Sequence, residues 1–259
     1  MSKTLILIPS RLSATRLPGK PLLKINNLSI ISHVVKKAKE SKIGEVYVAA
    51  EDQEIVDDVR KNGGQAILTS NYHKTGTDRI FECFKKINLK NVEYIINLQG
   101  DEPNIEIDDI IKLNNLIIKN KTQIGTLAAT IHHNSTLNNN NIVKVITKEK
   151  ITKKNFPLAL NFRRKLNKEK GKFIYHHIGI YAYQSKILKK IVNLKQSKNE
   201  IKSNLEQLRA LDNGLKINVA LAKVLANPGK MLERAGKYGY DKAQLPPPDM
   251  TTEWACSTK

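Results

Sequence analysis

Short apolar runs alternating with stretches at helical spacing constrain the fold of this chain more than any other feature. Residues 4–8 (TLILI), 45–50 (EVYVAA), 66–68 (AIL) and 93–98 (EYIINL) are the runs. Runs so short, apolar and β-branched suit parallel strands buried on both faces. Between them, residues 28–42 align Ile30, Ile31, Val34, Val35 and Ala38 against lysines on the other face, the signature of an amphipathic helix. Residues 54–62 do the same with Ile55, Val56 and Val59, and Gly63-Gly64 supplies the stop. Residues 77–86 carry Ile80, Phe81 and Phe84. The alternation predicts an α/β fold: a Rossmann-like, mostly parallel sheet with helices on both faces. Ligands of such sheets bind beyond the carboxyl ends of the strands. The loops after Ile8, Ala50, Leu68 and Leu98 are therefore the expected site.

Further along, strand-like pieces dominate at 125–131, 141–147 and 176–183, which predicts a smaller strand-rich lobe over about residues 125–185. Residues 205–211 read as a helix, 216–222 as a strand and the polar run 138–141 as a loop.

Composition excludes several classes. The 259 residues include 44 Lys+Arg and 24 Asp+Glu, a net charge of +20, with 40% hydrophobic residues. That is a globular composition, and no run of 18 apolar residues is present, so no membrane span is expected. The N-terminal apolar stretch is too short for a signal peptide. Two cysteines, Cys83 and Cys256, make no disulfide framework, which fits a reducing cytoplasm. The charge invites a nucleic-acid partner. Yet the densest basic stretch, 144–173, comes with no helix-turn-helix, zinc-finger or RNA-binding signature. The lysines read as solvated surface, and no nucleic-acid partner is expected.

Two loops carry the chemistry. The first holds Arg11, Arg16 and Lys20 within ten residues, punctuated by Pro9, Pro18, Gly19 and Pro21, and no acid occurs among the first 39 residues. Such a loop after a first strand can wrap a polyphosphate, although the Walker A spacing is absent. On charge alone a solvated basic loop reads equally well. The fourth run ends in Gln99-Gly100-Asp101-Glu102-Pro103. A carboxylate there suits Mg²⁺ held jointly with substrate phosphates, and Gln99 offers an amide to a base edge. The plainer alternative is an aspartate capping a turn.

Taken together, Arg11-x4-Arg16-Leu17-Pro18-Gly19-Lys20-Pro21-Leu22 and Gln99-Gly100-Asp101-Glu102-Pro103 resemble the sugar nucleotidyltransferases, most closely the 3-deoxy-manno-octulosonate (Kdo) cytidylyltransferases. Thr75-Gly76-Thr77-Asp78-Arg79, His177-Ile178-Gly179-Ile180-Tyr181 and Leu205-Glu206-Gln207-Leu208-Arg209 match that family in the same order. The resemblance covers residues 1–222 and implies transfer of CMP from CTP to Kdo, with pyrophosphate released. It implies Mg²⁺ as cofactor, CTP and Kdo as small-molecule partners, and a homodimer built from the 125–185 region. It assigns Pro9, Arg11, Arg16, Lys20, Thr75, Gly76, Arg79, Gln99 and Asp101 to CTP, with Arg79 nearby pairing with acids or phosphate. Arg16, Lys20 and Asp101 are the catalytic set, and Asp101 is the metal ligand. Gln99, Arg163, Arg164, His177, Tyr181, Glu206 and Gln207 fall to the sugar. Another acidic sugar, an amino-Kdo or a sialic acid, is the alternative acceptor.

Two departures from the family stand out. Its Ser-Arg-x-Pro-Ile-Pro-like segment is replaced by Asn155-Phe156-Pro157-Leu158-Ala159-Leu160-Asn161-Phe162-Arg163-Arg164, which leaves open which arginine meets the sugar acid. After Ala222 no Val-Asp-Thr segment follows, so the family's second metal carboxylate is missing. Residues 223–259 hold the only Trp, a Pro-Pro-Pro run and Cys256, and their composition departs from the Lys/Asn/Ile-rich body. The segment reads as foreign to the fold, through a frameshift or a fusion, or else as a divergent lineage with another ligand; an impaired nucleotide-binding scaffold is the alternative outcome.

Overall fold

The computed structural model describes residues 4–13, 18–166 and 173–223. Arg16 and the atypical tail from residue 224 onward lie outside the described residues. The chain opens with β1 (Thr4–Ser10), a 3₁₀ turn (Lys20–Leu22) and a small hairpin, β2 (Lys24–Ile25) and β3 (Leu28–Ser29). There follow α1 (Ile30–Glu40), β4 (Gly44–Ala50), α2 (Gln53–Lys61), β5 (Ala66–Leu68), α3 (Gly76–Ile87) and β6 (Tyr94–Asn97). The next elements are α4 (Ile107–Asn120), β7 (Ile124–Ala129), α5 (Asn134–Asn138), β8 (Lys144–Thr147), β9 (Ala159–Arg163) and β10 (Phe173–Gln184). The described chain closes with α6 (Ser185–Val192), α7 (Lys198–Ser203), α8 (Gln207–Asp212) and β11 (Ile217–Leu221).

The principal sheet runs β11-β7-β10-β6-β1-β4-β5, and β8 and β9 extend it from β10. β1 pairs in parallel with β4 and β6, β4 with β5, and β7 with β11. β10 is antiparallel to β6, β7 and β8. The expected mostly parallel sheet is found, with one reversed strand, β10, in its main order. Its two faces bury separate cores. Ile6, Ile8, Ile96 and Leu98 pack with apolar residues of α1, α2 and α4. Leu5, Leu7 and Ile95 pack with Ile80 and Cys83 of α3, Ile187 and Leu188 of α6, and Leu208 of α8. Helices on both faces follow from that two-sided burial.

Of the stretch 125–185, β7 and residues 176–178 and 181–184 of β10 sit in the main sheet. The start of β10, residues 173–176, pairs with β8, which pairs in turn with β9. Local chemistry sets the helix starts that matter for the site. The Ser29 hydroxyl accepts the Ser32 amide at 3.2 Å to open α1. The Thr75 hydroxyl accepts the Asp78 amide at 3.1 Å to open α3, relieving one of the unpaired first-turn N–H groups.

Candidate active site

The carboxyl ends of β1, β4, β5 and β6 lie side by side on one rim, as the parallel pairing requires. The loop after β1 is folded back on itself. The Leu12 amide donates to Asp52 Oδ2 at 2.8 Å, and the Gly19 amide donates to the Leu12 carbonyl at 3.0 Å. Gly19 sits at φ 73°, a left-handed geometry natural to glycine, and the 3₁₀ turn begins directly after it. This turn carries Lys20 under the rim. The Lys20 Nζ lies 2.7 Å from Asp101 Oδ2, and the lysine is only 6% exposed.

Asp101 reaches that position because the chain leaving β6 presses against β1. A Cβ on Gly100 would stand 2.8 Å from the Pro9 carbonyl oxygen and 3.0 Å from Ile31 Cδ1, so the backbone approaches as only glycine permits. Beside Asp101, burial and the Asp101 charge push the Glu102 carboxyl up to about 7. Among the described residues no three His, Cys, Asp or Glu side chains gather as a metal cage. Mg²⁺ commonly uses one or two carboxylates plus substrate phosphates, so Asp101 fits as a protein ligand that shares its ion with a nucleotide.

The adjoining wall is made by α3. A Cβ on Gly76 would meet Pro9 Cγ at 3.3 Å, so the N-terminus of α3 rests on the end of β1. Arg79, one turn in, is 3% exposed. Its Nη1 donates to Thr69 Oγ1 at 2.9 Å and to the Ser70 carbonyl at 3.1 Å, and its Nη2 pairs with Glu51. Burial pulls the guanidinium below its ordinary value and nearby Arg11 adds to this, while Glu51 opposes both. Arg11 itself is half-buried at the end of β1.

The residues assigned to the sugar come from four places: the loop after β6, the end of β9, β10 and the start of α8. Gln99 Nε2 donates to the Gly179 carbonyl at 3.1 Å, inside the register shift of β10 between Ile178 and Tyr181. His177 Nε2 lies 3.0 Å from Thr126 Oγ1. The Thr126 hydroxyl gives its proton to the Ile180 carbonyl at 2.7 Å, so the imidazole supplies the hydrogen of the first bond and is protonated on Nε2. Burial, with His176 adjacent, lowers the His177 pKa to about 3. The ring is therefore neutral near pH 7. It packs against Phe162 and Tyr181 with centroids 5.0 and 5.4 Å away. Tyr181 is the register partner of Asn97, and its hydroxyl and Asn97 Oδ1 are buried without a partner among the described residues.

Glu206 links the start of α8 to the start of α3. Its carboxylate accepts the Thr77 hydroxyl at 2.8 Å and the Gly76 amide at 3.3 Å. Burial raises its pKa, and the bonds from Thr77 and Gly76 counter that. Gln207 follows it at the start of α8. Arg163 and Arg164 stand at the end of β9. There the fully buried Lys144 donates to the Arg164 carbonyl at 2.7 Å, and Arg164 Nη1 donates to the Asn141 carbonyl at 3.2 Å.

The structure thus draws Pro9, Lys20, Gly76, Asp101 and Glu206 into one connected rim. Residues that sequence reasoning passed over are Glu51, Asp52, Asn97, Thr126 and Lys144. Glu51 and Asp52 were within reach of it, since they follow directly on a strand whose loop was already ranked. Asn97, a polar residue closing an apolar run, carried a weaker signal of the same kind.

Comparison with known proteins bears on this geometry. Residues 5–217 match the family model described as cytidylyltransferase. A 3-deoxy-manno-octulosonate cytidylyltransferase of Thermodesulfovibrio yellowstonii is 44% identical over 231 residues, covering 85% of this chain and 90% of the relative. One from Rhodopseudomonas palustris is 42% identical over 227 residues, covering 85% and 89%. Among solved structures, a CMP:2-keto-3-deoxy-manno-octonic acid synthetase complexed with CTP superposes with a TM-score of 0.76 at 33% identity, covering 91% of this chain and 98% of that one. A UTP-bound UGPase from Acinetobacter baumannii shares the fold at 12% identity, with a TM-score of 0.63.

Proposed function

The chain belongs to the 3-deoxy-manno-octulosonate cytidylyltransferases, and on that premise we infer that it transfers CMP from CTP to Kdo and releases pyrophosphate. It is a nucleotidyltransferase. The observation that carries this reading to the site is the Lys20–Asp101 pair, a buried cation and a carboxylate 2.7 Å apart where β1 and β6 end. An entering triphosphate gives Lys20 a second anion, and Asp101 can then share a divalent cation with phosphate oxygens.

Lys20 and Arg11 stabilise negative charge on the triphosphate, and Arg16 from the same loop is assigned to this task by the family pattern. Mg²⁺, when bound, neutralises phosphate charge and orients the groups that react. Thr75 and Gly76 form the wall for the cytosine. Gln99 and Tyr181 meet the sugar from the strand ends, with Glu206 accepting a hydroxyl. The hydroxyl of Kdo attacks the α-phosphorus with pyrophosphate leaving in line, so the protein's contribution is positioning and charge stabilisation. His177, neutral and donating to Thr126, serves as a shape and hydrogen-bonding element; it brings no charge to the sugar carboxylate. That anion falls to Arg163 or Arg164.

Lipopolysaccharide precursor supply in the cytoplasm, by a homodimer, completes the reading. Among the described residues no helix is long and apolar enough to cross a membrane. The test is pyrophosphate release with CTP, Mg²⁺ and a panel of Kdo, amino-Kdo and sialic acid. Release with Kdo at the highest kcat/KM supports the reading, and preference for another sugar replaces it. A second reading, slow turnover, is favoured by one observation: no Val-Asp-Thr segment follows Ala222. Turnover of Kdo at the rate of a relative that has the segment would remove it.

A further inference from the structure

Arg79 fell to the nucleotide in the family pattern, and its guanidinium is buried and bonded to Thr69, Ser70 and Glu51. Its guanidinium ties together three loops that end on the rim. Through Nη1 it holds Thr69 and Ser70, which follow β5, at 2.9 and 3.1 Å. Through Nη2 it holds Glu51, which follows β4. Glu51 in turn is fastened to the loop after β1. Its amide donates to the Ser10 carbonyl at 3.1 Å, and its Oε1 accepts the Ser13 hydroxyl at 3.4 Å. The neighbouring Asp52 accepts the Leu12 amide at 2.8 Å. Thr69 also reaches β4, its amide and hydroxyl both donating to the Ala50 carbonyl at 2.7 and 2.8 Å. The guanidinium itself grows from the first turn of α3, whose N-terminal Thr75 and Gly76 form the proposed base wall.

We propose that Arg79 and Glu51 form a positioning clasp that sets the phosphate loop and the base wall at a fixed separation, and that Arg79 does not itself bind the nucleotide. The proposal rests on the cytidylyltransferase reading of the site. A planar fork is needed here: one end of the side chain must satisfy a carboxylate while the other meets a hydroxyl and a carbonyl, which a lysine ammonium on a flexible stem does not reproduce. Arg11, close enough for its charge to act on Arg79, keeps the phosphate role in this reading.

The two possible roles of Arg79 differ in sign at Glu51. If Arg79 bound phosphate, Glu51→Gln would release it from a competing carboxylate and lower KM for CTP. As a clasp, Glu51→Gln raises KM for CTP about tenfold through misplaced loops, with KM for Kdo unchanged and kcat within about threefold. Arg79→Lys keeps the charge but behaves like Arg79→Gln, and the double variant Glu51→Gln/Arg79→Gln is no worse than either single one. A fall in KM for CTP on Glu51→Gln, rescue by Arg79→Lys, or additive losses would overturn the proposal. Hydrogen exchange on the full chain without nucleotide gives a second arm. Glu51→Gln and Arg79→Lys should each raise exchange in residues 10–13 and 69–76 together, leaving α4 and β7 unchanged. Protection lost across the whole chain, or in neither loop, sinks the clasp. If the wild-type protein fails to turn over CTP and Kdo, the functional reading falls, and this exchange arm still decides the clasp.

Discussion

At the scale of single residues, the chemistry of the rim depends on charges held close together. Lys20 keeps a cation on Asp101 before any nucleotide arrives. An ammonium 2.7 Å from a carboxylate opposes a divalent cation at the same oxygens, so metal and triphosphate should bind as a set. Lys20→Met should therefore bind Mn²⁺ more tightly than the wild type in the absence of CTP, while losing affinity for CTP. Electron paramagnetic resonance titration of Mn²⁺ reads the first effect and calorimetry the second; unchanged Mn²⁺ affinity would contradict the idea. The residues alone left this open, since a basic loop can be solvated and an aspartate can cap a turn; the resemblance of the two motifs together singled them out. Arg79 shows the limit. Its motif marks it as part of the site, yet its partners, Glu51, Thr69 and Ser70, lie 28, 10 and 9 positions away, and only the folded rim assigns them.

At the scale of elements, strand ends and helix starts do the positioning. The step from β6 to α4 works because Gly100 lets backbone press against backbone. Gly100→Ala would force a methyl to within 2.8 Å of the Pro9 carbonyl. Overpacking of this kind costs about 1–3 kcal/mol, and here the strain falls on the segment that carries Asp101. The expected outcome is a lower melting temperature together with a larger loss in kcat than in KM for Kdo. A variant of full activity and stability would show that the segment can yield. The first strands and helices were readable because their apolar spacing is local. Others, among them α4, β9 and α6, were not read from spacing. α4 repeats Ile110, Leu113 and Ile117, but Ile107, Ile111, Leu116 and Ile118 blur the stripe, β9 sits inside a segment valued for its arginines, and α6 directly continues a strand. The reversal of β10 was illegible for a different reason: strand direction in a sheet is decided by tertiary pairing, and an apolar run looks the same in either direction.

At the scale of the whole molecule, two buried histidines tie stability to acidity. Burial lowers the pKa of His177 to about 3, and burial with Lys144 nearby lowers that of His176 to about 4, both from an ordinary 6.5. Below 6.5 the unfolded chain takes up protons that the folded protein refuses, so stability falls as pH drops through that window. Between pH 7 and pH 5 each histidine should withdraw about 2 kcal/mol. Glu102, raised to about 7, is protonated in the folded protein over the same window and offsets about one histidine's share. Chemical denaturation of the wild type beside His177→Gln at the two pH values isolates the histidine: the variant should lose about 2 kcal/mol less, and an equal loss would contradict the assignment. The sheet itself has a consequence in time. β10 is inserted between β6 and β7, although β6 ends at Asn97 and β10 begins at Phe173. The strands whose ends form the rim, β1, β4, β5 and β6, pair among themselves within the first hundred residues. Joining β7 and β11 to them must wait for a strand made much later, and pairings of such sequence separation are slow. During synthesis the nucleotide rim is expected to take shape first, with the sugar-facing strands arriving as a second cooperative step.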